Sequence, residues 1–167
     1  MLDYYAMQID IIKNVKAYRT KRYNKMVIGQ IDEGNTFMIG TCERLFFIPK
    51  SKMLLDYGAL LDAVDGVPVT SLATMMRPEY DSRMADIYMS NIQRMTDYGN
   101  LLVFRADGNG ADLFINETQF KYNLKNYEVI YKYDMTCKPG RSPLYQYDSQ
   151  LHRMEALYLP VILNKGV

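Results

Sequence analysis

The sequence has no tryptophan, one histidine and two cysteines, and each scarcity narrows what the chain does. Histidine is the commonest general base near neutral pH and the commonest metal ligand. His152 stands alone beside the turn Asp148-Ser149-Gln150, where a solvated side chain is the expected role. Cys42 and Cys137 are distant in sequence, with no Cys-x-x-Cys, so neither a disulfide framework nor a zinc ribbon is expected. Nothing places either thiol beside His152 as a nucleophile pair. An excess of one charge is missing too. Twenty Lys and Arg against nineteen Asp and Glu leave a net charge of +1, which neither calls for nor excludes a nucleic-acid partner. No apolar run approaches the roughly 20 residues of a membrane helix. The first residues reach Lys13 and Lys16 without the apolar core of a signal peptide. The expectation is a cytoplasmic chain with no membrane contact.

Motifs of chemistry are equally scarce. There is no Gly-x-x-x-x-Gly-Lys-Ser/Thr, no Gly-x-Ser-x-Gly, and no signature spacing among the acids. Asp107-Gly108-Asn109-Gly110-Ala111-Asp112 begins like a calcium loop, but Gly110 is misplaced and the twelfth position is Thr118 rather than Glu. No catalytic residue, metal ligand or cofactor is therefore assigned. The absences argue against an enzyme without abolishing that reading.

The 167 residues suit one domain, 1–167, and 49% hydrophobic content is enough for a core that needs no staples. Asp3 caps an expected helix over 3–20, with Tyr5, Ile9, Ile12 and Val15 as its apolar face. Strands follow at Lys25–Asp32, Thr36–Ile39 and Arg44–Pro49. A second helix is expected over Lys52–Val64, capped by Ser51, with Leu54, Leu55, Ala59, Leu60 and Ala63 as its stripe. Residues 66–80 read as a loop. A third helix is capped by Asp81 or Ser82 and runs to about Tyr98, with Met84, Ile87, Tyr88, Asn91, Met95 and Tyr98 inward and Gly99 ending it. Strands at 101–106 and 113–116 flank the turn Asp107–Gly110. Residues 118–124 read as a short helix, 127–134 as an alternating strand, and 144–148 and 154–163 as the last two strands. The expected fold is α+β, a mainly antiparallel sheet with three or four helices packed on it.

Two features point to partners. Between residues 13 and 25 lie Lys13, Lys16, Arg19, Lys21, Arg22 and Lys25 with no acid among them, and with Tyr18 and Tyr23 interleaved. Cations with aromatics suit phosphates and stacked bases. A solvated helix end and an acidic protein partner are the other readings. Fifteen Tyr and twelve Met are the second feature, because interfaces favour such side chains. Met75, Met76, Arg77 and Tyr80 bring them together in the expected loop, as an interface or as plain loop.

Asn35 through Pro49, an apolar strand, a polar step and a second apolar strand, resembles a segment of bacterial DNA sliding clamps. Ser142-Pro143-Leu144-Tyr145 through Ala156-Leu157-Tyr158-Leu159-Pro160-Val161 resembles a clamp's closing hairpin, and small proteins of phages and mobile elements look similar. The matching stretches cover under a third of the chain. A clamp domain opens with a strand, whereas a helix is expected here, and a clamp needs two or three such domains. The resemblance implies a clamp-like module that binds DNA or a replication partner and has no active site. The expected function is a non-enzymatic binding module of this DNA-associated type. The alternatives are a protein inhibitor of a host effector acting through a Tyr/Met-rich surface, or a hydrolase with an unfamiliar carboxylate site. Exposed strand edges at 127–134 and 154–163 would favour a twofold homodimer.

Overall fold

The structure is a computed structural model, and it describes residues 1–14, 27–41, 43–63, 83–97, 99–107, 112–125 and 127–163. Among the described residues nine strands form one antiparallel sheet: β1 Val27–Ile31, β2 Thr36–Gly40, β3 Arg44–Pro49, β4 Met84–Thr96, β5 Gly99–Ala106, β6 Leu113–Asn116, β7 Val129–Asp134, β8 Leu144–Asp148 and β9 Met154–Tyr158. Their order across the sheet is β1-β2-β3-β9-β8-β7-β4-β5-β6. Two α-helices accompany them among the described residues, α1 Tyr4–Lys13 and α2 Tyr57–Ala63. The expected α+β fold with three or four helices is thus overturned in favour of an architecture close to all-β.

The correction comes largely from one segment. The expected third helix is β4, thirteen residues long, paired with β7 at one end and with β5 along the rest. Met84, Ile87, Tyr88 and Met95 fall at helical spacing, but pairing with strands distant in sequence overrides local periodicity. The expected second helix is also shorter. Lys50–Lys52 is a 3-10 turn, and α2 begins only after Asp56, whose side chain accepts the Ala59 N–H at 2.8 Å. Residues 118–124 likewise contribute a 3-10 turn, Glu117–Phe120, capped by the Asn116 side chain.

Helix α1 has its expected cap, because Asp3 accepts the Ala6 N–H at 2.9 Å. Its buried face is the other one. Tyr4, Met7, Gln8 and Ile11 are inside, while Tyr5 and Ile9 are exposed. Both stripes are apolar, and tertiary polar bonds decide between them. Gln8 donates to the Lys52 carbonyl and accepts the Leu54 N–H, and the Tyr4 hydroxyl reaches Glu155.

Alternate residues of a strand point to opposite faces, and in the middle of this sheet both faces are buried. Phe37, Ile39, Phe46, Ile48, Ala156 and Tyr158 enter one core with α1. Met38, Leu45, Phe47, Tyr145, Tyr147 and Met154 form a second cluster on the other face. Burying a side chain such as Phe46 or Ile48 contributes about 2–3 kcal/mol. Between β2 and β3 the chain turns so tightly that a Cβ on Gly40 would lie 2.3 Å from the Arg44 carbonyl oxygen, so only glycine fits there. The β5–β6 end curls back over the first core. Phe104 packs edge-on against Tyr131, Phe120 lies 4.5 Å from Tyr158, and the Val161 N–H donates to the Phe114 carbonyl at 2.7 Å. Strands β7 and β9 each lie between two neighbours, so neither is an edge strand as expected at 127–134 and 154–163, but the second neighbour covers only Lys132–Asp134 of β7 and Ala156–Tyr158 of β9.

Candidate functional site

Strand β4 forks away from the sheet. It pairs with β7 only through Met84, Ala85 and Asp86, and from Ile87 onward its described partner is β5 alone. At the fork the Lys132 ammonium lies 2.6 Å from the Asp86 carboxylate. Lys132 is 8% exposed and Asp86 51% exposed, so the acid holds a nearly buried cation at the crotch. Beyond it, Ile87–Met89 and Val129–Tyr131 face one another without pairing, and a cleft of about 460 Å³ opens between them.

The outer part of β4 exposes four large apolar side chains among polar ones. Tyr88 is 55%, Met89 52%, Ile92 46% and Met95 78% exposed. A buried strand needs such side chains, but an exposed one calls for a covering partner. The pairing with β5 breaks between Met89 and Gln93, where Ser90, Asn91 and Ile92 stand opposite Val103 alone. The Ser90 hydroxyl accepts the Ile92 N–H at 3.2 Å inside this bulge, and bulges bend and twist a strand. The charged side chains of β4 are Asp86, taken by Lys132, and Arg94, whose guanidinium sits 5.8 Å above the Phe114 ring.

A second polar cluster is buried. Glu155 is fully inside, and each carboxylate oxygen meets two donors. One accepts from the Tyr4 hydroxyl at 3.0 Å and the Leu2 N–H at 3.4 Å. The other accepts from the Gln146 amide at 3.2 Å and lies 3.2 Å from the Met1 amino group. Gln146 continues the network to Asn123 and the Tyr158 hydroxyl. Burial first, then the charge and hydrogen bond of Glu155, push the Tyr4 phenol far above its ordinary range. A cavity of about 390 Å³ lies alongside, lined in part by Tyr4, Lys52, Arg153 and Glu155. With its acceptor sites occupied, Glu155 offers no lone pair to a substrate proton.

Near the end of α1, Asp10 accepts from Lys121 at 2.5 Å and from the Tyr122 hydroxyl, and the Arg44 guanidinium lies 5.2 Å from the Tyr122 ring. Burial would raise the Asp10 carboxyl, but these two hydrogen bonds outweigh it and hold the group below its usual range. Burial and the bond to Asp10 raise Tyr122 to about 12.

Of the residues singled out in the sequence, Lys13 is described: it is exposed in the last turn of α1, three residues after Asp10. Lys16, Tyr18, Arg19, Lys21, Arg22, Tyr23 and Lys25 lie outside the described residues, as do Met75, Met76, Arg77 and Tyr80. Sequence reasoning missed Ile92 and placed Tyr88 and Met95 on an inner helix face. The excess of Tyr and Met was the available signal, attached to a different segment. His152 is exposed beside the β8–β9 turn with φ +47. Burial and the Asp134 charge raise the Cys137 thiol, which disfavours a reactive thiolate there. Among the described residues no three His, Cys, Asp or Glu side chains gather as a metal site, and no helix is long and apolar enough to cross a membrane.

Comparison of the chain with protein-family models, with curated proteins and with solved structures gives no match.

Proposed function

We propose that this chain is a binding module that engages a protein partner through the Tyr/Met-rich outer part of β4, acting as an inhibitor or adaptor rather than as a catalyst. The observation that carries this reading is four apolar side chains on one strand, Tyr88, Met89, Ile92 and Met95, about half or more exposed, with Arg94 and the Asp112-paired Arg105 as the charges beside them. Aromatic and Met side chains supply contact area in interface cores, where charge is depleted. Action in the cytoplasm belongs to the same reading, with two cysteines that form no framework.

Photo-crosslinking from positions 88 and 95 in living cells would identify the partner, and the purified pair would then be titrated. Tyr88→Ser with Met95→Ser is expected to weaken binding at least about tenfold, or 1.4 kcal/mol. Because both side chains are exposed, the thermal midpoint should barely move. Unchanged affinity in this double variant would remove the reading.

A second reading keeps the DNA-associated, clamp-like module of mobile-element type. It rests on the six cations and two tyrosines between residues 13 and 25. Anisotropy with duplex DNA should then show affinity falling steeply as salt rises, through counterion release. Reversing Arg19, Lys21 and Arg22 to Glu should abolish it. Absence of binding at low salt ends this reading.

A further inference from the structure

We infer that the cleft between β4 and β7 receives a short extended peptide segment of the partner, which adds a strand between the two and restores the interrupted sheet. This rests on the protein-binding reading above and specifies its chemistry. Strand β7 is paired on one side with β8 from Val129 to Tyr133, but on the other side with β4 only at Lys132, Tyr133 and Asp134. Among the described residues, Val129, Ile130 and Tyr131 thus turn an unpaired backbone edge toward the cleft. Opposite them Ile87, Tyr88 and Met89 are paired with β5 on their far side and with no described strand on the near side. Two open edges therefore line one cavity of about 460 Å³. That volume lies within the roughly 300–1,000 Å³ of ligand pockets, and unpaired edges are templates for a further strand.

The geometry selects the occupant. A strand that enters between two edges needs both of its own edges free. In a second copy of this chain, β4 has β5 on one edge and β7 has β8, so either could pair with one wall but not with both. An extended segment without a sheet of its own satisfies both walls. Three open residues on β7 span about 10 Å, and the bulge at Ser90–Ile92 ends the regular edge of β4. The inserted segment is consequently short, on the order of three or four residues. Lys132 already neutralises Asp86 at the fork, and the walls are otherwise Ile87, Tyr88, Met89, Val129, Ile130 and Tyr131. The segment is therefore uncharged and apolar, and its binding responds little to salt.

The test is selection of peptides from a random display library against the full chain, followed by titration of the synthetic peptides. Selected peptides should protect from hydrogen exchange those amides of Ile87–Met89 and Val129–Tyr131 that do not already bond to β5 or β8. N-methylation of alternate peptide nitrogens should weaken them at least about tenfold, because each removes a ladder donor. If peptides bind but tolerate N-methylation and leave these amides unprotected, strand addition falls while docking on the Tyr/Met surface stands. Failure of every peptide also overturns the inference. Doubling of the mass with concentration, with the same amides protected, would replace it with a second copy.

Discussion

Between pH 10 and pH 12 the protein is expected to unfold cooperatively, and the cause is its buried tyrosines. Burial, the largest influence on each, raises the phenols of Tyr122, Tyr131 and Tyr145 to about 12 from an ordinary value of 10. Tyr4 and Tyr158 move further in the same direction. In the unfolded chain these groups lose their protons near pH 10, while in the folded protein they keep them. The unfolded state then binds fewer protons, so stability falls as pH rises. The contribution is complete below about pH 10 and is lost on the way through about 12. For the most enclosed of the three, Tyr131, a pKa raised from 10 to about 12 corresponds to about 3 kcal/mol, and the partly solvated Tyr122 and Tyr145 contribute less, so together they are a large part of a domain's stability of about 5–15 kcal/mol. Tyrosinate absorbance and far-ultraviolet circular dichroism, followed together, check this. The late tyrosines should ionise in the same step that melts the sheet. Tyr145→Phe, which removes one buried titration and keeps its ring, should move that step to higher pH. Smooth ionisation of all fifteen tyrosines with the sheet intact would refute the account.

Replacing Glu155 by Ala is expected to cost about 3 kcal/mol, because the buried donors it accepts from are left unsatisfied. The Tyr4 hydroxyl, the Leu2 N–H, the Gln146 amide and the Met1 amino group would all lose their acceptor. Leu2 also bridges to Asn123, and Asn123 holds Gln146, so the loss spreads to the strand interior. Denaturant titration should show a lowered midpoint with little change in slope. Hydrogen exchange should quicken first in α1 and at residues 122–124. A loss under about 1 kcal/mol would mean that water replaces the carboxylate.

Much of the central sheet was legible in the residues. Arg44–Pro49, 113–116 and 144–148 are strands as expected, 101–106 and 127–134 need only end adjustments, and Asp3 is the cap it was expected to be. Apolar runs that short, bounded by turns, leave little room for another structure. The site was less legible. Tyr88 and Met95 carry the side chains that a buried helix would also carry, and no local feature says that β4 lies against β5 and leaves β7 after three residues. Glu155 reads as an ordinary polar position on a strand, although it is completely buried.

The sequence by itself determined what depends on near neighbours: the cap of α1, the strands of the two-sided core, the turns at 32–35 and 148–150, and the lack of any recognised catalytic motif. Only the tertiary structure decided which face of α1 is inside, that residues 84–96 are a strand, where the open edges lie, and which carboxylate is enclosed. Each of those outcomes is settled by a partner far along the chain, such as Lys132 for Asp86 or Tyr4 for Glu155. The energy of such a pairing exists only once the two segments meet, so neither segment records it alone.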